Sequence, residues 1–171
     1  VAQWTYRGVA VKVPRTADIP HRYKQGGRAG YIVQEVLDGV EPWEPGSDPI
    51  ETIVDLEEAV PEIIVPIDGK EVIWAKHAYH SAKIVQLSPF VRTLPVMTRS
   101  FTVVLAKTPE NPMVTRAFPG EYAPPLPWQR FRMGNELEES REFWSTHAYV
   151  YDAGLIVPGS IVTEAPAWFT D

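Results

Sequence analysis

The sequence contains no cysteine. That absence excludes disulfides, thiolate metal sites and cysteine nucleophiles, and it fits a reducing compartment, with the cytoplasm the expected location. No apolar run approaches the roughly 20 residues that a membrane-spanning helix needs, so no membrane partner is expected. Val1 to Thr5 carries neither the basic nor the apolar region of a signal peptide. Positive charge is also scarce: 16 Lys and Arg stand against 22 Asp and Glu, for a formal net charge of −6. This argues against a broad electrostatic footprint for DNA or RNA, but not against a small basic site on an acidic body. The G-x-G-x-x-G, Walker, H-E-x-x-H, G-x-S-x-G and EF-hand patterns are all missing. No cofactor and no metal ion are expected.

Proline and tryptophan, by contrast, are plentiful. Seventeen prolines in 171 residues make long helices unlikely over much of the chain, because each removes a backbone donor and fixes φ. Short strands joined by stiff loops suit such a composition, and six tryptophans bring large apolar area to a core. The length favours a single globular domain over residues 1–171, able to bury about 70% of its unfolded surface without a staple.

Residues 3–13 are β-branched and aromatic and read as a strand. HRYKQGGRAG (21–30) is a basic, glycine-rich loop. Tyr31 to Leu37 reads as a second strand, with a short helix as the alternative. Residues 38–49 hold three prolines and two glycines and form a loop. Asp48-Pro49 looks like an N-cap and first helical position, with Ile50, Ile53, Val54 and Glu57 following at helical spacing and Pro61 as the stop. Ile63 to Ile67 is a strand and Asp68-Gly69 a turn. Lys70 to Trp74 then reads either as a returning hairpin strand or as the start of a helix. The 4-3-4-3 spacing of Ile73, His77, His80, Ile84 and Leu87 predicts a helix over 75–86, ended by Pro89.

Farther on, Phe101 to Leu105 is the clearest strand. Met113 to Phe118 is its expected partner across a turn at 109–112. Residues 119–128 hold four prolines and form a stiff loop. Asn135 to Thr146 reads as a helix, and 147–169 as two short strands or a strand and an extended tail. Consecutive strand signals with turn chemistry between them favour an α+β fold with an antiparallel sheet and two or three short helices.

Three groups of residues are chemically suggestive. On the expected helix, His77 and His80 share a face, Ser81 lies one turn from His77, and Lys83 lies to the side. Imidazoles at these positions suit acid–base work near neutral pH, such as taking a proton from a 2′-hydroxyl while a cation stabilises the phosphorane. The bland alternative is that both histidines belong to the apolar stripe as core residues. A metal reading would add Glu71 or Glu62 to the two imidazoles. The second group is Thr98, Arg99 and Ser100 before one strand, with Thr115 and Arg116 on the next. Side by side they suit a phosphate, while ordinary alternation would simply turn them to solvent. The third is Arg22, Lys24 and Arg28 around Gly26-Gly27, an anion cradle or a solvated loop. The proline-rich loop with Trp128 reads as a docking surface or a cover.

The stretch 72–128 resembles the barnase–EndoU–RelE-like ribonuclease superfamily. The resemblance rests on a His- and Lys-bearing segment followed by MTRSFTVVLAK and MVTRAFPGEY. It implies His77 or His80 as general base, Lys83 and Arg116 as phosphate stabilisers and Thr115 as a hydrogen-bond donor, with RNA as the substrate. The chain departs from that group in being acidic, and no complete catalytic set aligns. Two functions are therefore carried forward. One is a metal-independent ribonuclease-like, toxin-type domain using His77, His80, Lys83, Thr115 and Arg116. The other is a non-catalytic binding or structural subunit of a larger protein assembly, meeting a protein partner or itself through a Trp- and Pro-rich surface.

Overall fold

The computed structural model describes residues 3–15, 17–24, 28–39, 50–53, 63–78, 87–94, 99–108, 111–128 and 134–167. The fold is α+β. In chain order its elements are β1 (Thr5–Tyr6), β2 (Val9–Ala10), α1 (His21–Lys24), α2 (Arg28–Asp38), β3 (Ile50–Ile53), β4 (Ile64–Pro66) and β5 (Val72–Lys76). Then follow β6 (Leu87–Val91), β7 (Ser100–Thr108), β8 (Asn111–Pro119), α3 (Gly134–Trp144), β9 (His147–Val150) and a 3-10 turn at Ala153–Leu155. These elements group into two compact units. The first holds α1, α2, β1 to β3, β7 and β8; the second holds β4 to β6, β9 and α3. Chain length favours one domain but does not reveal this grouping, in which the chain contributes to each unit more than once.

In the first unit, the strand expected over 3–13 is a hairpin. Arg7 and Gly8 both take positive φ, 51° and 81°, which matches the twist of a two-residue hairpin turn. β1 and β2 pair antiparallel across it. Residues 31–37 are helical, not extended. Ala29, Ile32, Val33, Val36 and Leu37 form an i, i+3, i+4, i+7, i+8 face, and that face packs into the unit's core. The β-branched residues on it are poor helix formers, but burial of the stripe outweighs a propensity difference of tenths of a kcal/mol per residue. The helix expected after Asp48-Pro49 is also corrected: Ile50–Ile53 is β3, hydrogen-bonded along β7. The remainder of that expected helix lies outside the described residues.

β7 and β8 form the long antiparallel pair expected from their sequence. The core takes Phe101, Val103 and Leu105 from β7, at period two. From β8 it takes Val114 and Ala117, which are three residues apart. That odd spacing has a structural cause. The register shifts between Val104 and Leu105, so that Val104 faces Arg116 and Leu105 faces Val114. Thr115 is the extra residue of a β-bulge. Along the other side of β8 runs an irregular segment in parallel, with Lys12 and Asp18 exchanging backbone hydrogen bonds with residues 112–117.

The second unit has sheet order β4-β9-β6-β5, antiparallel except for the β6–β9 pair. The Asp68-Gly69 turn forms as expected, with φ of 48° and 74°. Its flanking strands do not pair with one another, however; they stand at opposite ends of the sheet order. The helix expected over 75–86 is overturned where it can be seen. Ala75 and Lys76 end β5, His77 bridges to Ile156, and Leu87 opens β6; residues 79–86 lie outside the described residues. The misreading has a simple origin. A spacing of four is even, so Ile73 and His77 share a face on a strand just as they would on a helix.

Pro89 sits inside β6, opposite Trp74. It is tolerated because the Trp74 N–H and C=O are both spent on Val162, each at 2.8 Å. Trp74 and Pro89 therefore meet at a non-hydrogen-bonded position toward β5, and on the other side of β6 the pairing with β9 begins only at Phe90, so no ladder donor is required of Pro89. Residues 155–162 strap the outer side of β5 by backbone bonds from Ala78 to Leu155, Val157 to Lys76 and Val162 to Trp74. An edge covered in this way is not left open to indiscriminate pairing.

Candidate functional site

The sheet of the second unit has two chemically different faces. Cross-strand partners lie on the same side, so Val72, Val91 and Val150 share one face and Ile73, Phe90 and Tyr149 the other. The first is aliphatic: Ile63, Val65, Val91, Ala148 and Val150 form one buried cluster. The second is aromatic and contains His77. The His77 imidazole is 1% exposed. Its ring centroid lies 4.7 Å from Tyr149, nearly edge-on, and 5.4 Å from Phe90. Trp144 of α3 continues the cluster at 5.2 Å from Tyr149. His77 is thus a core residue on a strand.

α3 brings Trp144 there through its buried positions Ser140 and Trp144, one turn apart. Both side chains also hold the proline-rich loop. The Ser140 hydroxyl donates to the Pro125 carbonyl, and Trp144 Nε1 donates to the Pro124 carbonyl at 3.0 Å. With Ala123 and Leu126 buried as well, this loop covers the unit. Glu136, Glu138, Glu139 and Glu142 are exposed on this helix, as is Arg141.

In the first unit, Thr115 and Arg116 are brought together. Strict alternation would turn these neighbours to opposite faces. The bulge instead places both away from the core that Val114 and Ala117 enter. The Thr115 hydroxyl makes a long contact of 3.4 Å to the Val104 carbonyl. Arg116 lies over the Phe118 ring at 4.8 Å and the Tyr122 ring at 5.8 Å, and its Nε is buried without a hydrogen-bond partner among the described residues. Ser100 opens β7 and Arg99 precedes it, four or more residues along the strand from Val104, the partner of Arg116. His80, Ser81, Lys83 and Thr98 lie outside the described residues, as does Glu62 of the metal reading.

The basic segment 21–28 is partly helical. Arg22 donates to the Tyr23 hydroxyl at 2.8 Å and lies 4.9 Å above that ring. Lys24 lines a pocket of about 520 Å³ together with Trp4, Val11, Val13, Pro14 and Arg15. Sequence reasoning missed this pocket. Its only legible sign was the run VKVPR (11–15), which mixes apolar and basic residues. Among the described tryptophans, Trp4, Trp74 and Trp144 are buried and Trp128 is half-buried; Trp43 and Trp168 lie outside the described residues. The exposed apolar side chains that do cluster in sequence are Val157, Ile161 and Val162, on the strap beside β5. No described helix is long and apolar enough to cross a membrane. No family model, curated protein or solved structure matches the chain.

Proposed function

We propose that this chain is a non-catalytic binding or structural subunit of a larger protein assembly. The observation that carries the reading is the enclosure of His77 between Phe90 and Tyr149 at 1% exposure. A general base must come within hydrogen-bond reach of the proton it takes. An imidazole walled in by rings, on a strand whose outer edge is covered by the 155–162 strap, is built for packing. The strap supports the binding half of the proposal. Val157, Ile161 and Val162 are each about 40% exposed within six residues, where an isolated monomer would favour polar side chains.

One observation favours the ribonuclease-like reading instead: the bulge that sets Thr115 and Arg116 side by side, a pairing suited to a phosphate. A single assay separates the two. Purified protein is incubated with mixed RNA, with and without EDTA, beside the His77→Ala/His80→Ala variant. Intact RNA throughout is the expected result. Cleavage that survives EDTA and disappears in the variant would overturn the proposal.

A further inference from the structure

Arg116 stands on the outer face of the β7–β8 pair, opposite Val104, with its guanidinium carried over two rings. Phe118, two residues along β8 on the same face, is 5% exposed, and its ring centroid lies 4.8 Å from the guanidinium carbon. β8 then ends at Pro119, and Gly120 takes a positive φ of 96°. The chain turns there, and the Tyr122 ring comes back to 5.8 Å from the same guanidinium. The turn is fastened to β7. The Gly120 N–H donates to the Ser100 carbonyl at 2.8 Å, and the Thr102 hydroxyl donates to the Gly120 carbonyl at 2.9 Å. The walls around the cation are therefore set by the fold.

The ring faces attract the charge but give its N–H groups no oxygen. Arg116 Nε is buried without a hydrogen-bond partner, and the two Nη atoms make no hydrogen bond or ion pair among the described residues. Arg22 shows the contrast. It too lies over a tyrosine ring, at 4.9 Å, but it donates to that residue's hydroxyl. Donors held in a folded chain are nearly always satisfied, so a clamped guanidinium with open donors points to an acceptor supplied from outside the chain. Arg116 is only half-buried, and with Nε at the buried end the Nη pair is its open side. Two adjacent N–H groups in one plane match the two oxygens of a carboxylate. The formal net charge of −6 also opposes a phosphate dianion more than a monoanion. We propose that Arg116 anchors a carboxylate site, its Nη pair donating two parallel hydrogen bonds to the carboxylate while Phe118 and Tyr122 hold the guanidinium in position. The site does not rest on the non-catalytic reading, and either can fail alone: an RNA substrate would bring Arg116 a phosphate, and the test tells the two anions apart.

The test follows the arginine Nε–H signals of the full, ¹⁵N-labelled chain by NMR, assigned through the backbone, at constant ionic strength. Sodium acetate is the carboxylate probe, acetamide its uncharged counterpart and inorganic phosphate the tetrahedral anion. The exposed Arg7 and Arg92, each over a tyrosine ring, serve as internal references. Acetate should move the Arg116 signal saturably at roughly one tenth of the concentration needed at Arg7 and Arg92, the scale of one charge-assisted hydrogen bond. Acetamide should leave the signal in place, and phosphate should act only at higher concentration than acetate. Arg116→Lys keeps the charge but loses the fork, and should abolish the acetate response of the Tyr122 amide. N-acetylaspartate methylamide then tells the source. Tighter binding than acetate points to a carboxylate on a protein chain, binding no tighter points to a free small carboxylate, and either supports the site. A response at Arg116 no stronger than at Arg7 and Arg92, an equal response to acetamide, or tighter binding of phosphate than of acetate would each overturn the assignment. These comparisons are made on the unaltered protein, so they stand even if a variant folds poorly.

Discussion

The two units bury their sheets with different chemistry. The first packs an aliphatic helix face and a hairpin against alternate residues of β7 and against Val114 and Ala117 of β8, with Tyr23 and Phe101 edge-to-face at 5.0 Å among them. Its polar candidates, Thr115 and Arg116, face away from that core. The second packs a ring cluster on one face and aliphatic residues on the other, and its polar candidate, His77, lies inside the ring cluster. The comparison teaches that spacing alone does not tell whether a polar residue points to ligand or to core. In the first unit a single inserted residue turned two neighbours the same way. In the second an even spacing, read as helical, belonged to a strand.

Mutations can break or sharpen this contrast. The largest effect is expected in the first unit's core, where Phe101→Ala should cost about 3–5 kcal/mol, because it removes a fully buried ring and leaves a cavity. Urea denaturation checks this, and a variant retaining Trp4 as its sole tryptophan reports the first unit. His77→Ala should cost about 2–4 kcal/mol by the same cavity argument, with His77→Phe recovering most of it. That pair of variants separates packing from chemistry, since a residue kept for acid–base work would not be rescued by phenylalanine. Ser140→Ala should cost about 1 kcal/mol, because the partly buried Pro125 carbonyl loses the donor that the buried Ser140 hydroxyl supplies. Its loss should also raise amide exchange in residues 123–128, measurable by hydrogen–deuterium exchange. The smallest change is expected for Arg116→Ala, about 0.5–1 kcal/mol from the lost ring contacts, with Arg116→Lys a partial replacement only. An effect of Arg116→Ala as large as that of Phe101→Ala would mean that the two faces of the β7–β8 pair are not the distinct environments described.

The sequence by itself determined the α+β class, the β7–β8 pair, α3 and the Asp68-Gly69 turn. In each of these, local preference and final burial agree. β-branched residues alternate on a half-buried strand, acids and apolar residues segregate on a surface helix, and Asp-Gly takes positive φ at little cost. Only the tertiary structure decided the rest. α2 and β3 read oppositely because their β-branched residues suit either element once one face is buried, and the choice fell to what each packs or pairs against. The Thr115 bulge was silent because it is defined by the partner strand, not by the residue inserted. His77 was ambiguous for the same reason: Phe90 and Tyr149 reach it from strands that begin 10 and 70 residues later, and contacts at that range leave no periodic trace in the chain.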